Sequence, residues 1–459
     1  MTQNLKHQRW YLLLFLSSIF FATCSGCKES NGIENHKPEN NVPSEVSPSP
    51  LDGLVMYEVN PRFYGDQATF QKITQDLPRI KDLGTTVVWL MPIQKPGQLK
   101  AIGSPYCIQD YTALNPKYGT SSDLHELVKT AHQLGMKVII DWVANHTSWD
   151  HDWITKHEDW YTKDANGTTT HPGGTNWLDV ADLDYESTDL RSAMVDAMRY
   201  WVSEYGIDGY RCDYAEGVPL DFWKIAIAAL KKESPDLLML AEGGDNRLYE
   251  AGFDLLYGWG AYGRLAAYYQ GKGTLSAFLQ EVKDETSTID QRKQRRLRYV
   301  TNHDLMSENA MIGVFKSPEA ALSAFVLSTF VDGVPLLYSS QEVAPTTSLS
   351  FFEYRTLDLS AQPEQTQRLK EILSAYTQTV QVRTGSRTVD HAGGVVFITY
   401  RTDSEQLLVL VNTTGEQQSA KIPISWARKK VRSLPDGSER ILPSETILPS
   451  YKYQVYAIK

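Results

Sequence analysis

Four strand-length stretches of this chain end in ionisable side chains. Asp141-Trp142-Val143-Ala144-Asn145-His146 closes one, Asp208-Gly209-Tyr210-Arg211-Cys212-Asp213 another, Leu240-Ala241-Glu242 a third and Thr301-Asn302-His303-Asp304 a fourth. A single acid or histidine at a strand end is ordinarily a cap or an ion-pair partner. Asp213, Glu242, Asp304, His146, His303 and Arg211 gathered at one mouth are instead material for nucleophilic and general acid–base chemistry. Side chains alternate along a strand, so Arg211 and Asp213 face one side and Cys212 the other. Arg211 beside Asp213 favours the anion, as a nucleophile requires. Glu242 lies between Ala241 and Gly243 with no adjacent cation in the chain, so it reads as a carboxyl that stays protonated and serves as an acid. The bland alternatives are a buried ion-pair network for Asp213 and Glu242, and satisfied core histidines for His146 and His303.

Positioning such a set needs a scaffold of parallel strands. Eight short runs, Leu54–Val59, Thr85–Leu90, Lys137–Trp142, Gly206–Asp213, Leu237–Ala241, Phe253–Tyr257, Leu297–Thr301 and Pro335–Tyr338, lack polar alternation, as buried parallel strands do. Amphipathic stretches lie between them. Leu124, Leu127, Val128, Ala131 and Leu134 mark one helix face, with Ser121, Ser122 and Asp123 as capping residues and Gly135 as the stop. Met194, Met198, Trp201 and Val202 mark another, and Pro78 predicts that the first helix begins or kinks there. Strand–helix alternation over about 300 residues predicts an α/β fold, a (β/α)8 TIM barrel over 51–380, with an open doubly wound sheet as the alternative. In a barrel, catalytic groups project from the C-terminal strand ends. From about Gly385, runs at Val395–Arg401, Leu407–Asn412 and Lys452–Ile458 between turn residues predict a C-terminal antiparallel β domain over 385–459, read as a small sandwich.

The strand-end motifs, in this order and spacing, resemble those of the α-amylase superfamily of glycoside hydrolases, family 13. Asp141–His146, Gly209–Asp213, Glu242 and Asn302-His303-Asp304 carry the resemblance, with Val180-Ala181-Asp182-Leu183-Asp184 as a fifth region and Gly333–Tyr338 with Gln341-Glu342 beyond. The resemblance implies Asp213 as nucleophile, Glu242 as general acid/base and Asp304 as transition-state stabiliser. It implies Arg211 as the partner that holds Asp213, His146 and His303 as hydrogen-bond partners of the sugar, and Tyr106 as its stacking platform with Asp110 bracing that loop. For Tyr106 the bland reading is simple loop packing. Glycosidic cleavage with retention needs one carboxylate to attack and one carboxylic acid to protonate the leaving oxygen, roughly 5–5.5 Å apart. The implied activity is retaining hydrolysis of α-1,4-glucosidic bonds in starch, maltodextrin or related neutral α-glucans. A transglycosylase or sugar isomerase of the same superfamily, and a non-catalytic sugar-binding lipoprotein, are the competing readings.

Two places depart from many amylases. Lys and His three and four positions after the nucleophile are here Glu216 and Gly217, so the leaving-group side must be built differently. The loop domain 147–178 is short and rich in aromatics, including Trp149, Trp153, Trp160, Tyr161 and Trp177, which read equally as sugar platforms or as a miniature core. The resemblance also implies a structural Ca2+ held by Asn145, Asp182 and the Gly217 carbonyl, oxygen ligands of the kind calcium takes. No organic cofactor is implied.

Composition bounds the partners. The 459 residues carry a net charge of −10 with 22% charged and 42% hydrophobic residues, an ordinary globular balance. Nucleic-acid binders normally carry a basic face, so the net charge of −10 argues against nucleic acid as a partner. Aromatics at 11% suit a large core, with sugar stacking the sharper reading. At the N-terminus Lys6, His7 and Arg9 precede an apolar run from Trp10 to Ala22, too short to span a bilayer and of signal-peptide length. Ser25-Gly26-Cys27 resembles a bacterial lipobox, although Cys24 stands where Leu is usual. The expectation is a signal peptide over 1–27, lipidation of Cys27, a tether over 28–50 and an exported protein held at a bacterial membrane surface, with plain secretion as the alternative. Cys107 and Cys212 are expected to stay free thiols.

Overall fold

A computed structural model describes residues 49–434 and 436–458. The expected signal peptide, Cys24, Cys27 and nearly all of the tether lie outside the described residues. Ser49, at the tether's end, is tied down: its N–H donates to Asp52 Oδ2 at 2.8 Å and its hydroxyl to the Arg292 carbonyl.

Eight parallel strands close into a barrel. They are β1 (Met56–Val59), β2 (Val87–Leu90), β3 (Lys137–Val143), β4 (Gly209–Asp213), β5 (Leu238–Ala241), β6 (Leu255–Tyr257), β7 (Arg295–Arg298) and β8 (Val334–Tyr338). Each pairs with its neighbours in chain order and β8 closes on β1, so the open-sheet alternative falls away. Alternation sends Met56, Val87, Trp89, Ile139, Leu238, Leu240, Leu255, Tyr257, Leu297 and Leu336 into one interior cluster. The opposite face of each strand packs against helices such as Ser121–Gln133 and Thr188–Tyr205. Trp89, Trp142, Trp201 and Trp223 are fully buried. Each such side chain is worth roughly 1.5–3 kcal/mol of burial.

Strand β7 sits two residues earlier than the pattern Leu297–Thr301 suggested. The arginines disguised it: Arg296 and Arg298 lie on the outer face, buried because Arg296 reaches the Gly244 and Tyr257 carbonyls and Arg298 pairs with Glu285. The first helix runs Thr69–Asp82 with Pro78 inside it, so it does not begin there. The second is capped by Thr120, one residue ahead of the expected Ser121, in a reciprocal box with Asp123. Gly209 opens β4 at φ +149°, where a Cβ would fall 2.0 Å from the Leu238 carbonyl oxygen. No side chain fits that approach of β4 to β5.

The C-terminal strands form a six-stranded antiparallel sheet in the spatial order Ser386–Ala392, Val395–Arg401, Gln406–Asn412, Tyr453–Ile458, Lys430–Leu434, Glu439–Ile441. Val396, Ile398, Val409 and Val411 join the main core beside the helix Pro318–Val331. Leu408, Leu410 and Tyr456 on the other face pack under a two-stranded ribbon, Gln418–Lys421 with Glu445–Leu448. Cys107 and Cys212 are buried free thiols, as expected.

Candidate active site

The C-terminal ends of β3, β4, β5 and the turn after β7 converge as the strand-end motifs required. Arg211 on β4 is wholly buried on the cleft floor. Its Nη1 donates to Asp213 Oδ1 at 2.7 Å and to Asp141 Oδ1 at 2.9 Å, and its Nη2 stands 3.1 Å from Glu242 Oε2. Its Nε donates to the Tyr257 hydroxyl at 3.2 Å. Asp213, Glu242 and Asp304 keep 13%, 20% and 32% of their side chains exposed, so all three open to the cleft above that floor.

Glu242 corrects the reading from its chain neighbours. A cation does touch it: Arg211 arrives from the adjacent strand β4, outside the stretch of chain around Glu242. The Tyr214 N–H also donates to Glu242 Oε2 at 2.7 Å. Its pKa nevertheless rises, because burial and then the neighbouring Asp213 outweigh Arg211 and the Tyr214 donor. Asp213 is raised by burial too, but Arg211 opposes this through both charge and hydrogen bond. Asp304 is pushed well up by burial and by Glu242 and Asp213. Asp213 and Glu242 share one guanidinium while Asp304 pairs with His303, and burial with mutual repulsion favours the protonated form among the three acids.

Behind them lies a layer that sequence reasoning undervalued. Asp141 was visible as a motif residue; the structure makes it the hub that accepts from Arg211, from Trp89 Nε1 at 3.2 Å and from the Tyr106 hydroxyl at 3.1 Å. Burial raises its pKa to about 7 against the pull of Arg211. Glu58 on β1 was missed. It meets His303 Nδ1 at 2.5 Å, and the signal was a carboxylate inside an otherwise apolar strand, two positions from the inward Met56.

His303 Nε2 lies 2.9 Å from the Tyr106 hydroxyl and 3.4 Å from Asp304 Oδ2. Tyr106 stacks on the His303 ring, with centroids 5.5 Å apart and planes 22° apart. The pair is thus packed together at the cleft wall, with both His303 nitrogens engaged by protein. His146 is buried, its Nδ1 3.3 Å from Asn145 Nδ2, and burial lowers its pKa to about 4. The expected role of Asp110 changes: it is exposed and accepts from Thr112 and Ala113 of its own strand, so it braces that hairpin and not the Tyr106 loop.

The loop domain divides its aromatics. Trp160 and Tyr161 are buried, and Trp153 packs on Trp160 and Tyr111 at 5.0 and 5.2 Å, making a miniature core. Trp149 carries the Lys100 ammonium 3.5 Å over its ring. Trp177 instead stands at the mouth, edge-on to His146 at 5.7 Å and to Tyr214 at 5.0 Å. Glu216 turns toward the loop after Glu242, accepting from the Gly244 and Asp245 N–H groups at 2.7 and 3.0 Å.

The implied calcium ligands are partly assembled. A Cβ on Gly217 would sit 2.6 Å from Asn145 Oδ1 and 2.3 Å from the Tyr214 ring, so these two residues are in close contact and only glycine fits. Asp182 lies opposite His146 in a short antiparallel ribbon, one residue on from Asn145. Burial raises its carboxyl pKa, with Asp184 adding to the rise. Among the described residues no group of three or more His, Cys, Asp and Glu side chains could hold a metal. An amide, a carboxylate and a carbonyl are hard oxygen donors, which suit calcium and not a soft metal.

Residues 59–237 match the family model described as Alpha amylase, catalytic domain. The chain is 25% identical over 375 residues to Alpha-amylase 2 of Dictyoglomus thermophilum, a match that takes in 75% of this chain and 64% of that protein's length. A crystal structure of an α-amylase from Lactobacillus plantarum superposes with a TM-score of 0.80 at 30% identity, covering 89% of this chain and 99% of that one. A maltogenic α-amylase from Thermotoga neapolitana does so with a TM-score of 0.78 at 29% identity, covering 88% and 98%.

Proposed function

This chain belongs to the α-amylase family of glycoside hydrolases, and within it we propose a retaining hydrolase of α-1,4-glucosidic bonds in starch, maltodextrin or related α-glucans. The observation that carries the reading is one buried guanidinium, Arg211, in contact with both Asp213 and Glu242 on a cleft floor that Asp304 also overlooks.

In this mechanism Asp213 attacks the anomeric carbon and Glu242 protonates the departing glycosidic oxygen. Arg211 favours the Asp213 anion and, as charge leaves Asp213 on forming the covalent bond, pulls instead on Glu242. Glu242 then takes a proton from water as that water releases the sugar. Asp304, with His303 behind it, stabilises the positive charge that develops on the ring. Tyr106 and His146 line the bound sugar. Trp177 and Tyr214 offer an apolar surface beside Glu242, where Lys and His are absent, and that surface holds the departing sugar or an accepting one. Transfer to a second sugar is therefore the competing outcome for the same intermediate.

Calcium would be held by Asn145 Oδ1, the Asp182 carboxylate and the Gly217 carbonyl. It would supply charge to relieve Asp182 and clamp the loop domain to the segment after the nucleophile. A chelator should lower the melting temperature and added Ca2+ restore it; an unchanged melting curve overturns that part. Export and lipid anchoring through Cys27 complete the proposal, and the mass of the mature N-terminus tests them.

The decisive experiment incubates the protein with starch, maltoheptaose, pullulan, cyclodextrin and trehalose and resolves products over time. Shorter maltooligosaccharides support hydrolysis, and longer ones support transfer. Cleavage of none, with sugar binding intact, supports the non-catalytic reading. Asp213→Asn should abolish turnover and keep binding.

A further inference from the structure

The N-terminal face of the barrel, at the opposite end from the carboxylates, carries a pocket of about 300 Å3. Asp52 ahead of β1, Arg292 and Arg295 at the start of β7, Asp332 ahead of β8, and Arg383 and Arg387 at the entry to the C-terminal sheet all line it. Four cations thus face two anions across a small cavity in an otherwise acidic protein.

The two carboxylates are already matched. Arg295 Nη2 lies 2.8 Å from Asp52 Oδ1, and Arg387 Nη1 lies 2.9 Å from Asp332 Oδ2. Arg387 also donates to the Val331 carbonyl. Arg383 meets no carboxylate among the described residues. Its guanidinium lies 3.5 Å over the Tyr376 ring, its Nη2 donates to the Tyr376 carbonyl at 3.1 Å, and its Nε is buried without a hydrogen-bond partner. The Arg292 guanidinium meets a carboxylate among the described residues only at Asp290, 3.8 Å away, and the side chain is 71% exposed. A buried guanidinium N–H left unpaired is costly, and a ligand oxygen would satisfy it. The local field is positive: burial would raise the Asp332 pKa, yet Arg387, Arg298 and Arg295 hold it below the ordinary carboxylate value.

We propose that this pocket binds a phosphate-type oxyanion between Arg383 and Arg292, with Arg295 and Arg387 as supporting charge. The planar donor fork of arginine matches tetrahedral oxyanions with paired hydrogen bonds. The bound group would tie the start of the barrel, the β7 and β8 entries and the C-terminal sheet together. The phosphate can be free in solution or carried on a lipid headgroup, since Ser49, where the expected tether ends, lies beside this face.

The test is thermal unfolding of the full chain in potassium phosphate against potassium chloride at matched ionic strength. The expected result is a saturable rise in melting temperature with phosphate alone, as binding to the folded state requires. Arg383→Gln should weaken the apparent affinity at least tenfold while turnover of 4-nitrophenyl maltoside persists. If that variant does not fold, Arg292→Gln, on an exposed side chain, carries the same expectation. Equal shifts in phosphate and chloride, or undiminished binding in both variants, overturn the proposal. Flotation with phosphatidylglycerol vesicles, against phosphatidylcholine, identifies the source. Phosphate-competed binding to the anionic vesicles assigns a headgroup, and saturable phosphate binding without flotation assigns a free phosphate.

Discussion

The carboxyl of Glu58 and Nδ1 of His303, separated by 245 positions in the chain, meet at 2.5 Å beneath the cleft. Burial raises the Glu58 pKa well above its ordinary value and depresses that of His303, so desolvation favours the neutral form of each. With both partners neutral, the Glu58 O–H would donate to Nδ1 and the Nε2 proton would face Tyr106 and Asp304, 2.9 and 3.4 Å away.

That tautomer depends on a donor at position 58. Glu58→Gln offers an amide N–H in place of the O–H and should keep kcat/KM within about tenfold. Glu58→Ala should cost about a hundredfold, equivalent to roughly 2.7 kcal/mol of transition-state stabilisation. Equal losses in the two variants would show that Glu58 contributes packing and no proton placement.

The division of labour between Asp213 and Glu242 is open to a chemical test with an activated fluoride donor. In Asp213→Ala, azide should enter from the vacated face and give the glycosyl azide of inverted configuration. In Glu242→Ala, the covalent intermediate still forms, so azide should give the retained product. Product configuration by NMR checks both, and the reverse pattern would exchange the two roles.

Glu216 acts through the loop it holds. Its carboxylate accepts from the Gly244 and Asp245 N–H groups, two and three residues after Glu242. Glu216→Ala should lower kcat about tenfold and shift the alkaline limb of the pH–rate profile, because the backbone carrying the acid loosens. Glu216→Gln, which keeps an acceptor oxygen, should restore most of the rate. A change in KM alone would assign Glu216 to substrate binding.

Stability should fall on the acid side through buried histidines. Burial lowers the pKa of His151 from 6.5 to about 4, and its Nδ1 accepts from the Trp153 N–H at 3.0 Å. The unfolded chain takes up this proton near pH 6.5 and the folded chain only near pH 4, so the contribution is complete above 6.5 and is lost as pH falls through that window. The full effect is roughly 3 kcal/mol. Melting temperature followed from pH 7 to 4 should drop more steeply in the parent than in His151→Gln, and parallel curves would count against the assignment.

The apolar runs located eight strands and the C-terminal sheet, and the strand-end motifs singled out Arg211, Asp213, Glu242, His303 and Asp304, but closure into a barrel in place of an open sheet came only with the structure. Strand alternation is a local rule, so facing Arg211 and Asp213 the same way needed only their spacing of two. The charge state of Glu242 was not local. Ala241 and Gly243 say nothing of a guanidinium delivered by the neighbouring strand, and that contact exists only once β4 and β5 pair. Glu58 on β1 and His303 just after β7 are separated by most of the barrel's chain length and become neighbours because the sheet closes on itself. The arginine pocket beneath has the same origin, assembled from strand entries that no sequence window contains together. Periodicity and motif order are written along the chain, whereas burial, shared cations and cavities are properties of closure, which brings distant residues into one low-dielectric space.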